Sequence, residues 1–451
     1  MTGDRTAPWL LERETRAMLT RLALVQPFVL QETCVAAAAL SPAALSGIEQ
    51  HLIAGRQEVR RSGRELIAWL RGPGASATPA EQQRRFWTLR LAFHAALGQF
   101  DLFSEVVTQR SERDNGVLLG GLDVAAAEAL LLPTKYFDSP PVACSLQGVI
   151  GGSIRRVRTR LPGGGDNPVA LIRIPRERMV GFGIASSLVH EVGHQGAALL
   201  GLAECLREQL SGRRSRGRRT WALWSHWISE ILADLWSISR IGIGSTLGLI
   251  GLVSLPRGFV FRPPDEDPHP IPWLRVLLSC AIGDRLYPDP QWARLARVWR
   301  SLYPIAGVRP ELRSLIDELR ATMPEFISVL LGARPPSLGG RTLGDVLRNP
   351  ELQRAALLDR FLDWRREPDQ MALAPPTLAF AVLGQARASG MLSPERESGL
   401  LRRLIIGWAV NSALATARGD RGMYVGQPVI WSDPPDYAQR RSVAVRLKET
   451  R

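Results

Sequence analysis

Cysteine, lysine and long apolar runs are all scarce in this chain of 451 residues. Its four cysteines, Cys34, Cys144, Cys205 and Cys280, lie far apart and form no C-x-x-C pair. That spacing excludes a disulfide framework and a cysteine-ligated metal site. Reduced thiols and a cytoplasmic location are the expectation. No run of apolar residues reaches the length a membrane helix needs. The nearest is residues 241–255, which are glycine-rich and end at Pro256 and Arg257. They read as a buried helix, so a membrane is not expected as a partner. The start of the chain has no charged, then apolar, then small-residue leader, so no secretory signal is expected.

Only two of the 57 basic residues are lysine, Lys135 and Lys448. The net charge of +14 and the pI near 10.8 raise the question of nucleic acid. The arginine excess is spread along the chain, with local concentration only at 155–160 and 213–219. No zinc finger, helix-turn-helix signature or aromatic-basic interleaving accompanies it, so nucleic acid is not expected as a partner. Hydrophobic residues at 45% and charged residues at 22% describe a folded, globular protein.

Histidine is also rare, with six in all, yet two of them fall within five residues in His190-Glu191-Val192-Gly193-His194. This H-E-x-x-H pattern continues the helical run 184–189. Residues four apart share a helix face, so both imidazoles can address one metal ion. Glu191 is turned away from that face and can meet a water on the metal. The pattern suits zinc with an open coordination position. Gly193 and Gly196 each cost such a helix about 1 kcal/mol relative to alanine. That cost fits a close approach of another backbone, or drift in a helix held by its neighbours.

A third protein ligand is required. Ala197 and Leu200 occupy the positions where a longer H-E-x-x-H-x-x-G-x-x-H motif would carry glycine and histidine. In the Trp-rich segment 224–236, His226, Glu230 and Asp234 are spaced by four and line one stripe of an expected helix. Carboxylates on a buried face need a cation or a hydrogen-bond network.

H-E-x-x-H followed by Glu230-x-x-x-Asp234 resembles the gluzincin, thermolysin-like metallopeptidases. The resemblance covers about residues 165–280 and is specific at five positions. It implies that His190, His194 and Glu230 hold Zn²⁺, with His226 as the rival third ligand. It implies that Asp234 accepts a hydrogen bond from His190, fixing its tautomer. It implies an edge strand along the substrate cleft before the metal helix, one that pairs with extended peptide, and 167–175 is the expected one. A further strand is expected within 153–160. After the third ligand, Asp267-Pro268-His269-Pro270 is similar to a D-x-H-P segment of related zincins. His269 and Arg275 are the candidates to stabilise an oxyanion. For both, a helix-capping loop with local pairing is the alternative. The spacer between His194 and Glu230 is long for the family and contains the 213–219 arginine loop, a candidate contact for an acidic protein partner.

The implied chemistry is peptide hydrolysis of a peptide or protein substrate. Zinc lowers the pKa of a bound water, and Glu191 is the general base. The alternatives are a non-catalytic zincin-fold interaction or assembly protein, and a zinc hydrolase acting on another bond. The expected fold class is α+β, mostly α-helical. A zincin-like core with a small sheet beside the H-E-x-x-H helix is flanked by helical domains. The expected division is an N-terminal helical domain over 1–130, a catalytic domain over 131–288, a C-terminal helical domain over 289–420 and a turn-rich tail over 421–451. Ser41-Pro42 and Thr78-Pro79 mark helix starts. Residues 401–417 read as a helix, and 424–431 as a short hairpin.

Overall fold

A computed structural model describes residues 6–419, except 31–33, 113–114, 149–151, 162–163, 180, 213–217 and 265–266. Most of the arginine loop, the tail and its expected hairpin lie outside the described residues.

The protein is mostly helical, with one small sheet. The N-terminal third is built on the helices Thr6–Leu24, Pro42–Arg71 and Pro79–Thr108. Ser41 and Thr78 cap the second and third as expected. Their hydroxyls accept from the amides of Ala44 and Glu81, with proline at the first helical position. Met18, Leu22, Leu66, Phe86 and Phe93 close the core between the three helices.

The sheet has three strands, β1 (Val142–Gln147), β2 (Ser153–Arg155) and β3 (Ala170–Pro175), in the order β1-β3-β2. β1 runs parallel to β3, with Val142 opposite Ala170, and β2 runs antiparallel to it, with Ile154 opposite Ile172. Alternate residues serve two cores, as the pleat requires. Ala143 and Leu171 meet Ile48, Phe100 and Phe103 from the long N-terminal helices. Cys144, Leu146, Ile172 and Ile174 face the larger core with Leu188 and Val192 of the H-E-x-x-H helix. A strand buried on both faces reads as a continuous apolar run.

Pairing on both sides corrects one expectation. The strand in 167–175 is central, and β1 and β2 are the edge strands. β2 also stops at Arg155 rather than running on through 160. The Asn167 side chain donates to the carbonyls of Arg155 and Arg156, and Arg158 has φ 60°. The backbone therefore turns instead of extending the ladder.

The H-E-x-x-H helix is Phe182–Leu199, and it packs against Ile228–Ile241. The stripe expected across 224–236 is interrupted at Trp227, which separates Arg218–His226 from Ile228–Ile241. Gly242, with φ 57°, turns the chain into Ile243–Val253, a short apolar helix packed against the H-E-x-x-H helix. Among the described residues no helix is long and apolar enough to cross a membrane. The larger core runs without a break from Leu118 to Trp408, so segments on both sides of residue 289 share it. The expected helix over 401–417 is the end of Pro394–Ala417.

Gly193 and Gly196 explain how the two central helices come so close. A Cβ at Gly193 would lie 2.8 Å from Ala233 Cα and 2.8 Å from Trp236 Cβ, and one at Gly196 2.5 Å from the Trp236 ring. Trp236 is itself pinned, its Nε1 donating to the Ala129 carbonyl at 3.0 Å. Close approach, not drift, accounts for both glycines. Alanine at 193 gains up to about 1 kcal/mol of helix propensity, but the overpacking it causes costs typically about 1–3 kcal/mol. Gly193→Ala should therefore lower stability in chemical unfolding. A variant at least as stable as the wild type would show that the helices are not in backbone contact.

Candidate metal centre

The tight helix pair sets two carboxylates against the two motif histidines. His190 Nε2 lies 3.3 Å from Glu230 Oε2, and His194 Nε2 lies 3.4 Å from Glu230 Oε1. The two imidazole rings are perpendicular, with centroids 4.9 Å apart. One nitrogen from each histidine and one oxygen of Glu230 fall within 4.8 Å of one another. Both histidines thus turn Nε2 inward and have their Nδ1 engaged behind. His190 Nδ1 donates to Asp234 Oδ1 at 2.9 Å, and His194 Nδ1 is 3.4 Å from Ser229 Oγ. The carboxylate behind His190 is the arrangement that orients a metal-binding imidazole.

The centre gathers opposed charges in a buried space. Glu230 Oε2 is buried, and although His190 and His269 flank it, it accepts no well-directed hydrogen bond. Burial opposes ionisation of Glu230, but the His190, His269 and His194 rings outweigh it and hold the carboxyl well below its usual range. Burial likewise opposes a charge on His190. Asp234 and Glu230 overcome it and raise the imidazole to about 10. Without a cation, the site keeps a proton on His190. Burial and the neighbouring His190 instead lower His194 to about 4, leaving it a neutral donor. Two imidazole nitrogens and one carboxylate oxygen make a donor set that fits a Zn²⁺ ion.

Glu191 points to the side, as its helical offset requires. Burial raises its carboxyl to about 7. A cation held beside it would pull that value down again. The start of the β2 edge strand lies against it, because a Cβ at Gly152 would meet Glu191 Oε1 at 2.7 Å. Gln195 holds the chain beyond that strand, its Oε1 accepting from the Val157 amide at 2.9 Å.

The segment after the third carboxylate also arrives. His269 Nε2 sits 3.2 Å from Glu230 Oε2, and its Nδ1 is 2.7 Å from Asp267 Oδ1. Asp267 accepts the His269 amide as well, at 2.9 Å, so a local turn aims the ring. The Glu230 carboxylate beside it raises the pKa of His269. Arg275 is deeply buried. It donates from Nε to Asp234 Oδ2 at 2.6 Å and from Nη2 to Asp234 Oδ1 at 2.8 Å. Arg275 is ion-paired, but not locally as the alternative had it: its partners are Asp234 and, at 3.5 Å, Glu230 Oε2, both from a distant helix. His226 is not brought into the group. It is exposed, beyond the interruption at Trp227, with Nε2 3.1 Å from the Asp267 carbonyl.

Sequence reasoning missed three features of the centre: the Arg275–Asp234 pair, the packing of Gly152 on Glu191, and Ser229 behind His194. Each joins positions remote in the chain, and no local pattern marks them. The Asp267–His269 turn was open to detection, since aspartate two residues before a donor is a common local cap. No family model, curated protein or solved structure matches this chain.

Removing one member of a buried ion pair leaves the other charge uncompensated, at a cost of about 3–5 kcal/mol. Arg275→Met should therefore destabilise the protein far more than a surface arginine change, as read by chemical unfolding. Glu230→Ala should lower the metal content of purified protein in elemental analysis, and His226→Ala should leave it unchanged. The reverse pattern would make His226 the ligand.

Proposed function

We propose that this protein is a zinc-dependent peptidase of gluzincin type, with a zincin-like core formed by the sheet and the two central helices. The observation that carries this reading is the buried Glu230 carboxylate set against both His190 and His194, one donor atom from each lying within 4.8 Å of the others, with Glu191 next to them on the same helix. His190, His194 and Glu230 would hold the ion. Zn²⁺ when bound supplies Lewis acidity, making water acidic enough to give up a proton near neutral pH and stabilising charge on a carbonyl oxygen.

The remaining steps belong to the chain's own side chains. The Glu191 carboxylate accepts the proton of the attacking water and passes it to the leaving amine. Asp234 keeps the His190 ring in one tautomer, and Arg275 keeps Asp234 ionised. His269, aimed by Asp267, presents Nε2 at the rim of the centre, where an N–H can meet a developing oxyanion. The edge strand β2 begins beside Glu191, so an extended peptide can pair along it. The cytoplasmic setting, a protein or peptide substrate, and an acidic partner for the 213–219 arginine loop belong to the same proposal.

Glu191→Gln keeps the size of the side chain and removes the base. Purified with zinc, this variant should hold as much metal as the wild type while peptide turnover falls about 10²–10⁴-fold. Turnover is read by mass spectrometry on a defined peptide mixture. Chelation of the wild type should abolish cleavage, and added Zn²⁺ should restore it. Turnover in Glu191→Gln at the wild-type rate would overturn the assignment.

A further inference from the structure

A cavity of about 90 Å³ adjoins the centre at His190, Glu191 and His269, and its mixed walls also include Arg178, Ser187 and Ser237. A single water requires roughly 10–15 Å³ on the same measure, so the space holds a small group of several atoms. Arg178 lies in the short turn Arg176–Arg178 between β3 and the H-E-x-x-H helix. Its side chain is buried, at 8% exposure. Nε donates to Ser187 Oγ at 3.1 Å, and Nη2 donates to the Gly248 carbonyl at 2.9 Å. Among the described residues no carboxylate forms an ion pair with it, in contrast to Arg110, Arg240 and Arg275, which pair with Asp123, Glu128 and Asp234. Burial draws the Arg178 pKa down, with Glu177 acting against the shift. Buried charges are paired as a rule, and an unpaired guanidinium in a cavity wall calls for an anion.

A second, independent feature points the same way. Ser237 is 1% exposed, lines the same cavity, and its hydroxyl makes no hydrogen bond. An orphaned hydroxyl in a cavity wall is a donor without its acceptor. Ser186 and Ser187 stand one helical turn, about 5.4 Å, before His190 and Glu191. One residue of peptide spans a comparable distance, with consecutive Cα atoms about 3.8 Å apart. Glu191 delivers its proton to the leaving amine and faces this cavity, so the cavity is on the leaving-group side.

We propose that Arg178, Ser187 and Ser237 form a carboxylate-binding subsite, and that the preferred substrate carries a carboxylate on the residue just after the bond that is cut. This rests on the peptidase reading for the bond, but not for the anion. The carboxylate has two sources, the α-carboxylate of a C-terminal residue and the side chain of an aspartate or glutamate.

Zinc-loaded Glu191→Gln protein is titrated calorimetrically with succinate and with succinamate, its monoamide. Succinate should bind about tenfold more tightly or better, the range expected for one hydrogen-bonded charge pair. In a protein also carrying Arg178→Met the preference should vanish, and Arg178→Lys should restore part of it. Equal binding of the two probes, or a preference that survives Arg178→Met, overturns the subsite. The succinate arm needs only the unmodified cavity, so it stands even if Arg178→Met fails to fold. Zinc content is measured on the same samples. Protein that takes up no zinc refutes the peptidase reading alone, whereas zinc-loaded protein without a carboxylate preference refutes the subsite alone. The sources separate with wild-type protein and one peptide set made as free acids, as amides, and as amides with interior Asp or Glu. Loss of single residues from the free acids assigns the α-carboxylate, and cleavage before Asp or Glu in the amides assigns the side chain. Cleavage indifferent to all three forms overturns the proposal.

Discussion

Asp234 is the hinge of the centre. One buried carboxylate accepts from the His190 imidazole on one helix and from the Arg275 guanidinium on another. Each charge in this line would be costly alone in the interior. With Glu230 added, two cations face two carboxylates, and the geometry of the centre follows. His190 can present only Nε2, because Nδ1 is taken. Arg275 keeps Asp234 ionised against the pull of burial. Glu230, one turn earlier on the Asp234 helix, is carried into place between the two motif histidines.

Such a line of charges forms only if the helices can touch. Gly193 and Gly196 remove the side chains that would hold Ile228–Ile241 away, and Trp236 fills the space beside them. The sheet acts on the other flank. β1 and β2 flank the central β3, and of these two edges it is β2 that reaches Glu191. The site is therefore a product of three contacts: helix on helix, strand against helix, and the loop that Asp267 folds around His269.

Local signals were legible where their physics is local. The H-E-x-x-H pattern, the two serine and threonine caps before proline, and the apolar run at β3 are each written within a few residues. Glu230 and Asp234 were legible because their spacing matches the helix period, and because the resemblance to gluzincins supplied their roles. Failures came where a neighbour decided. β3 looked like an edge until β1 and β2 were seen to pair with both of its sides. His226 shared a stripe with Glu230 in the sequence, but Trp227 interrupts the helix and the ring meets the Asp267 backbone instead. Arg275 could be read as an oxyanion donor because nothing nearby in the chain shows that its partner is Asp234.

By itself, the sequence determined the candidate ligands and their helical spacing, since a face shared every four residues is a property of the helix alone. It also determined that the chain would be mostly helical, through its caps, its periodicity and its few strand-like runs. Only the tertiary structure decided which nitrogen each histidine turns inward, which arginine is paired and which is not, and which edge strand lies beside Glu191. Those outcomes depend on desolvation and on charges brought together from distant positions. Burial makes an unpaired charge costly, but the chain order does not say which charges will meet.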